Sequence, residues 1–288
     1  MPDVTRVTEV VGGTALSRRG LLLGLIGTVA AVAIAGCGSE ASSQAAQVPA
    51  LPPPPEWPPL LAPPPANARV LLPGGGTLST LPGPGDLLAL TLDDGVDTDV
   101  VRAYAQLAKD SGIRLTMFVT GVFSSWTDNR DLLRPLIDTG QIQLGNHTWL
   151  HHDLTKMTPP EVADELRHTD QFLKDTFGVD AAPYFRPPYG AYNDMVTKVA
   201  TDLGYTVATL WDGTLGDDAI LSPEDIVANA QRYLVAQQIV IGHLNHPSVM
   251  QVYHQLIDVI HERNLRTVTL NDVFVKPEVT RLTSAYPS

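Results

Sequence analysis

The chain has 288 residues, with 19 Lys and Arg against 31 Asp and Glu, a formal net charge of −12 and a single cysteine. So acidic a surface excludes nucleic acid and anionic lipid as ligands, and one thiol excludes an intrachain disulfide and any cysteine-rich metal site. A metal, where one is needed, must be held by His, Asp and Glu.

The N-terminus reads as a targeting segment. In "LSRRGLLLGLIGTVAAVAIAGCG" the paired Arg18 and Arg19 precede an uncharged stretch from Gly20 to Gly36, the basic-then-apolar layout of an export signal. That stretch is at the short limit for a bilayer-spanning helix of ~20 residues. It closes on "IAGC", and so resembles the bacterial lipoprotein signal, in which the cysteine, here Cys37, becomes the lipidated first residue. Ser17, Arg18 and Arg19, with Leu21 and Leu22 behind them, resemble a twin-arginine signal. Segment 1–36 is therefore expected to be removed. The lipid on Cys37 is expected to tether the chain outside the cytoplasmic membrane, facing the cell wall or periplasm, and to be its one link to a membrane. Removal takes away Asp3, Glu9, Arg6, Arg18 and Arg19 and leaves a formal net charge of −13.

Residues 37–68, with "PALPPPPEWPPLLAPPPA" at their centre, predict an extended polyproline II stalk, semi-rigid because proline fixes φ and removes donors. Trp57 is read as a spacer residue within it. Residues 69–288 are enough for one domain with its own core.

Within that domain short apolar runs alternate with amphipathic ones, which predicts βα units and a mainly parallel sheet. "DLLALTL" reads as a strand and "DVVRAYAQLAKDSG" as a helix ended by Gly112. "RLTMFVTG" and "QIQLGNH" are strands on either side of a helix in "NRDLLRPLIDTG". "TPPEVADELRHTDQFLKDTFG" is a helix with Thr158 as N-cap and Pro159 at its first position. "NDMVTKVATDLG", "SPEDIVANAQRYL" and "MQVYHQLIDVIHERN" are helices, alternating with strands in "YTVATLW", "QQIVIGH" and "RTVTL". No Gly-x-Gly-x-x-Gly follows any strand. The pattern predicts an α/β fold, a distorted (β/α)7-type barrel in a single catalytic domain, with chemistry at the C-terminal ends of the strands.

Ionisable residues fall at those ends. Asp93 and Asp94 close the first strand in "ALTLDDGVDT". Asp-Gly alone signals a turn, but two like charges beside a core are costly unless compensated. Successive residues of an extended chain point to opposite sides, so the two carboxylates are expected to face different environments. His147 follows the third strand and His151 lies four residues on, a spacing that aims two imidazoles at one point if the backbone makes a helical turn. With an Asp they form a donor set suited to zinc or a similar divalent ion, with a position left open. His152 and His168 are read as surface or hydrogen-bonded histidines. Arg186 in "FRPPYGAYN" is stiffened by Pro187 and Pro188, and Gly190 lets the loop turn. A rigid arginine beside a carboxylate keeps that carboxylate ionised. Trp211 and Asp212 end the "YTVATLW" strand, and His243 ends "QQIVIGH".

Taken in order, "TLDDG", "HTWLH", "RPPYG", "LWDGTLGDD" and "IVIGH" resemble the five motifs of the polysaccharide deacetylase family. These are the family 4 carbohydrate esterases, related to the rhizobial chitooligosaccharide deacetylase. The resemblance covers about residues 87–275. It implies that Asp94, His147 and His151 hold a divalent metal, with Zn2+ first and Co2+, Ni2+ or Mn2+ as alternatives. Asp93 would be the general base, Arg186 its tether and His243 the general acid. The Tyr189 backbone N–H would stabilise the oxyanion, while Trp211 and Ile241 would wall a pocket for the acetyl methyl.

The fourth motif departs from the family: its first Asp falls on Thr214, its second on Asp217, and the following Trp on Asp218. Asp217 is assigned as partner of the acid histidine, with Asp212 as the rival, and losing the Trp implies a more open wall. His246 is the alternative to His243. The implied activity removes N-acetyl groups from amino sugars of an extracellular glycan, and the anchor points to peptidoglycan, acted on by a monomer. The alternatives are a chitooligosaccharide or another N- or O-acetylated polysaccharide, a non-catalytic glycan-binding lipoprotein of the same fold, and a cyclic-amide hydrolase without the metal triad.

Overall fold

The structure, a computed structural model, describes residues 56–278 together with Arg281 and Tyr286. The expected export signal, Cys37 and the first part of the proline-rich segment lie outside the described residues. Two short strands come first, β1 (Val70–Leu71) and β2 (Thr77–Leu78). Then β3 (Leu87–Asp94) enters the core, buried almost throughout, as a parallel strand covered on both faces must be. Helix α1 (Thr98–Ser111) is capped by the Asp97 carboxylate, which accepts from the Asp99 and Val100 N–H groups, and is closed by Gly112 at φ 79°.

The pattern repeats through β4 (Leu115–Val119), α2 (Ser125–Asp128), α3 (Arg130–Asp138) and β5 (Ile142–Asn146). Helix α4 (Pro159–Phe177) begins where Glu161 Oε2 accepts from the Thr158 N–H at 2.7 Å and hydroxyl at 2.8 Å. After it come β6 (Tyr184–Phe185), α5 (Asp194–Asp202), β7 (Val207–Thr209), β8 (Gly213–Thr214) and α6 (Pro223–Tyr233). The chain finishes with β9 (Gln238–His243), α7 (Tyr253–Glu262), β10 (Arg266–Thr267), α8 (Leu270–Val273) and β11 (Phe274–Val275).

The main sheet is parallel in every ladder and runs β2-β7-β6-β5-β4-β3-β9-β8, with β10 added on β3. The last strand at one end, β8, and the last but one at the other, β7, belong to one stretch of chain. β7 pairs with β6 and β8 pairs with β9, yet only Leu210, Trp211 and Asp212 separate them. The Asp212 N–H bonds Ile239 O at 3.1 Å within that stretch. The segment 207–214 thus bridges both ends, and the α/β sheet curls into the expected distorted barrel. Along β3, Leu88, Leu90 and Leu92 join the large apolar cluster under the helices, while Ala89 joins a second cluster with Phe118, Tyr184, Val207 and Ile239. The two clusters are the outer and inner layers of the barrel.

Two readings change. Only Arg266 and Thr267 of "RTVTL" are strand, because Thr269 caps α8 through a box with Asp272. Within the span read as a stalk, Trp57 stacks on His254 (centroids 4.2 Å apart, planes 16°), Leu60 packs on the core and Ala62 O accepts from Arg266 Nη1 at 2.6 Å. The end of the proline-rich segment lies on the domain surface. Composition identifies an extended chain but not whether its few apolar residues have something to cover.

Candidate active site

Strand register builds the site. β3 runs two residues past its apolar run, so that Asp93 pairs with Phe118 on β4 and His243 on β9, and Asp94 with Val119. Asp93 follows Ala89 and Thr91 toward the barrel interior, as alternation requires. Alternation would send Asp94 the other way. Instead Asp94 has φ 75°, and both carboxylates reach one imidazole: Asp93 Oδ2 and Asp94 Oδ1 lie 3.5 and 3.4 Å from His147 Nε2. The two carboxylates share His147, while Asp93 alone meets Arg186 and Asp94 alone meets His151 and Asn245, so what is corrected is the alternation expected to part them. Aspartate tolerates the left-handed conformation better than most residues, and its surroundings hold it there. Asp94 O accepts from Thr120 N–H and from Trp126 Nε1, each at 3.2 Å. The indole packs so closely that a Cβ on Gly95 would lie 2.5 Å from it.

The second and third donors come from the loop after β5. This is not a helical turn: Thr148 and His151 both take positive φ, 70° and 59°. Side chains hold this strained backbone. Asn146 Oδ1 accepts from Thr148 N–H at 2.9 Å, while Asn146 Nδ2 donates to Leu166 O and Tyr205 Oη. Buried Glu165 on α4 accepts from the Trp149 and Leu150 N–H groups at 2.9 and 2.8 Å. His147 Nδ1 donates to Arg186 O at 2.7 Å, which leaves Nε2 with a free lone pair facing the carboxylates. His151 Nε2 lies 3.3 Å from Asp94 Oδ1.

Arg186 is fully buried, its guanidinium 4.2 Å over the Phe118 ring, and donates from Nε to Thr209 O, from Nη2 to Leu210 O and from Nη1 to Asp93 Oδ1 at 2.6 Å. On the far side of β3, His243 Nδ1 meets Asp217 Oδ1 at 3.2 Å. Asp217 is buried, whereas Asp212 is exposed and Thr214 lies at the cleft wall. A cleft of about 690 Å³ opens over these groups, lined by Asp93, Asp94, His147, His151, His243, Tyr189, Trp211 and Ile241, with Val96, Phe123, Pro187, Thr214, Asp218 and Asn245 completing it. Arg186 and Asp217 are not among the lining residues and reach the cleft through Asp93 and His243. Nor is His246, the alternative to His243. His152 is exposed, 4.0 Å from Glu165, and the His168 ring is 5.9 Å from that of Trp149, so neither joins the cluster.

Charge in the cluster is set by partners working against burial. Burial pushes the Asp94 carboxyl up, but His147, Asn245 and His151 together hold it well below the usual carboxylate range. Burial disfavours the imidazolium at His147 and His243 alike; Asp93 and Asp94 outweigh it at the first, Asp217 chiefly at the second, and both are raised above the usual histidine value. His151 is lowered, by burial and by the neighbouring His147.

The donor atoms of Asp94, His147 and His151 all lie within 4.8 Å of one another. Metal bonds of about 2.0–2.1 Å at tetrahedral angles put neighbouring ligand atoms ~3.4 Å apart, close to the 3.3 and 3.4 Å from Asp94 Oδ1 to the two nitrogens. One carboxylate and two imidazoles suit a first-row divalent cation, so the residues present fit such an ion. Sequence reasoning missed Asn146, Glu165, Trp126 and Asn245. Asn146 directly precedes "HTWLH" and Asn245 lies between His243 and His246, beside the histidines that drew attention. Glu165 and Trp126 act through backbone groups that only folding brings near.

Residues 81–208 match the family model for polysaccharide deacetylases. The chain is 27% identical over 197 residues to a chitin deacetylase of Arthroderma benhamiae, covering 66% of this chain and 52% of that protein. It is 33% identical over 116 residues to the peptidoglycan-N-acetylmuramic acid deacetylase PdaA of Bacillus subtilis, covering 40% and 43%. The chain thus spans about half the length of the curated relatives it matches. Among solved structures, the CE4 family pseudoenzyme BA3943 of Bacillus anthracis superposes with a TM-score of 0.61 at 18% identity, over 71% of this chain and 70% of that one. That likeness establishes the fold.

Proposed function

We propose that this chain, which carries a polysaccharide deacetylase domain, is a metal-dependent hydrolase that removes N-acetyl groups from amino sugars of cell-wall peptidoglycan. The observation that carries the reading is the meeting, in one cleft, of a carboxylate with an uncommitted oxygen, Asp93, an imidazole paired to a buried carboxylate, His243, and the Asp94–His147–His151 donor set.

A divalent cation held by that set, with Zn2+ the favoured ion, would polarise the acetyl carbonyl and ease ionisation of the attacking water. Asp93 Oδ2 takes the proton of that water, while Arg186 keeps the carboxylate ionised and fixes its other oxygen. His243 gives a proton to the departing amine nitrogen, and Asp217 keeps the imidazolium available. Tyr189 sits at φ 60° in the turn after Pro188 and offers its N–H to the developing oxyanion, and Trp211 and Ile241 form the apolar wall for the methyl. Cys37 and the paired arginines before it support an exported, lipid-anchored monomer whose nearest glycan is the wall of its own cell. The peptidoglycan-acting relative supports the same substrate.

The chitin deacetylase relative keeps chitooligosaccharides as the second reading, and a pseudoenzyme on this fold shows that the fold alone does not decide activity. Mass spectrometry of isolated peptidoglycan after incubation with the full chain and Zn2+ tests both. Loss of acetyl from wall sugars supports the proposal. Loss only from chitooligosaccharides moves the substrate, and loss from neither removes the enzyme reading.

A further inference from the structure

Asp94 has two oxygens and the donor set uses one. Oδ1 faces His147 and His151. Oδ2 accepts from the side-chain amide of Asn245, Nδ2, at 2.7 Å. Asn245 is itself fixed. Its Oδ1 accepts from Val96 N–H at 3.4 Å, and the preceding residue is bound to the same turn in both directions, Leu244 N–H to Asp93 O and Asp97 N–H to Leu244 O, each at 3.0 Å. The segment after β9 is therefore laced across the turn after β3, and the amide arrives at Asp94 from a rigid frame.

We propose that Asn245 is a positioning residue for the cation: it engages Asp94 Oδ2 so that the carboxylate meets a divalent metal through Oδ1 alone. The terminal torsion of an aspartate is broad. With Oδ2 unengaged, the group could rotate, present both oxygens, or swing from the two imidazoles. A neutral amide is the group that stops this at no electrostatic cost. A carboxylate at position 245 would repel Asp94 or bind the ion as a second anion, lowering its net charge and its power to polarise a carbonyl. A lysine would compete with the cation. Hydrogen-bonding partners behind metal ligands are typically worth ~10–100-fold in metal affinity.

This inference rests on the reading of Asp94, His147 and His151 as a cation site, and its test separates the two. Zn2+ affinity is measured on the full chain by competition with a chelator for the wild type, Asn245→Leu and Asn245→Ser. The first variant keeps the side-chain shape without a donor, and the second is too short for the direct bond and disturbs packing least. The expected result is a Zn2+ Kd weakened ~10–100-fold in both variants. Variants within about threefold of the wild type overturn the role of Asn245 and leave the triad standing. A wild type that binds no divalent cation overturns the triad itself.

Discussion

Opposite ends of the barrel each hold an arginine–aspartate pair, half-buried at one end and fully buried at the other, and the two are satisfied differently. At the N-terminal end, Arg114 grips Asp272 with two nitrogens, Nε to Oδ2 at 2.6 Å and Nη2 to Oδ1 at 2.8 Å, and Oδ2 also accepts from the Thr269 N–H and hydroxyl. That carboxylate is saturated and holds α8 to β4. At the C-terminal end, Arg186 gives Asp93 one nitrogen and spends the rest of its fork on Thr209 O and Leu210 O. Asp93 keeps an oxygen whose nearest polar partner is His147 Nε2 at 3.5 Å. A buried ion pair is an expensive arrangement whose removal leaves a stranded charge. The first pair uses that rigidity for architecture, and the second keeps one acceptor in reserve for chemistry.

The sharpest way to break this comparison is to neutralise each aspartate. Asp93→Asn keeps shape and removes the base, so kcat for amine release should fall ~10²–10⁴-fold, and the midpoint should fall too because the buried Arg186 loses its carboxylate. Asp272→Ala should lower the midpoint and leave the chemistry alone. It removes the α8 cap and the carboxylate from Arg114, leaving that half-buried guanidinium on Gly140 O, read as a lowered midpoint, while kcat/KM of the folded protein stays at the wild-type value. Loss of activity in the second variant with intact folding would erase the distinction.

Arg186→Lys probes the fork. A lysine keeps the charge but cannot serve Asp93, Thr209 and Leu210 with one planar group, so kcat should drop roughly tenfold with a modest loss of stability. A fully active variant would show that charge alone suffices.

The smallest effect belongs to Asp217. Its carboxylate raises His243 against burial, and His243 acts in the protonated form, so activity is lost as pH rises through that raised value. Asp217→Asn should move the alkaline limb of the kcat profile to lower pH. An unmoved limb would assign the limb to another group.

Much of this was legible in the sequence because it has a period or a fixed spacing. The apolar runs gave β3, β4, β5 and β9, and Thr158 with Pro159 marked the start of α4. The strands of two or three residues, such as β6 and β8, are too short to carry an alternation, so the bent segment 207–214 that links β7 to β8 was visible only in part. At Asp94 the reasoning failed in an instructive place. Alternation is a property of extended backbone, and φ 75° suspends it. The signal was present in the Asp-Gly dipeptide, which permits left-handed turns, but not the Trp126 and Thr120 contacts that enforce one. Likewise the His147–His151 spacing named the pair, while Glu165 and Asn146 determine its geometry from elsewhere in the fold.

One measurement bears on the central claim most directly: amine release from N-acetylglucosamine polymers and isolated peptidoglycan by the full chain with Zn2+, beside an Asp94→Ala, His147→Ala double variant. Metal-dependent release by the wild type and none by the variant is the predicted result. Full activity in the double variant would contradict the account.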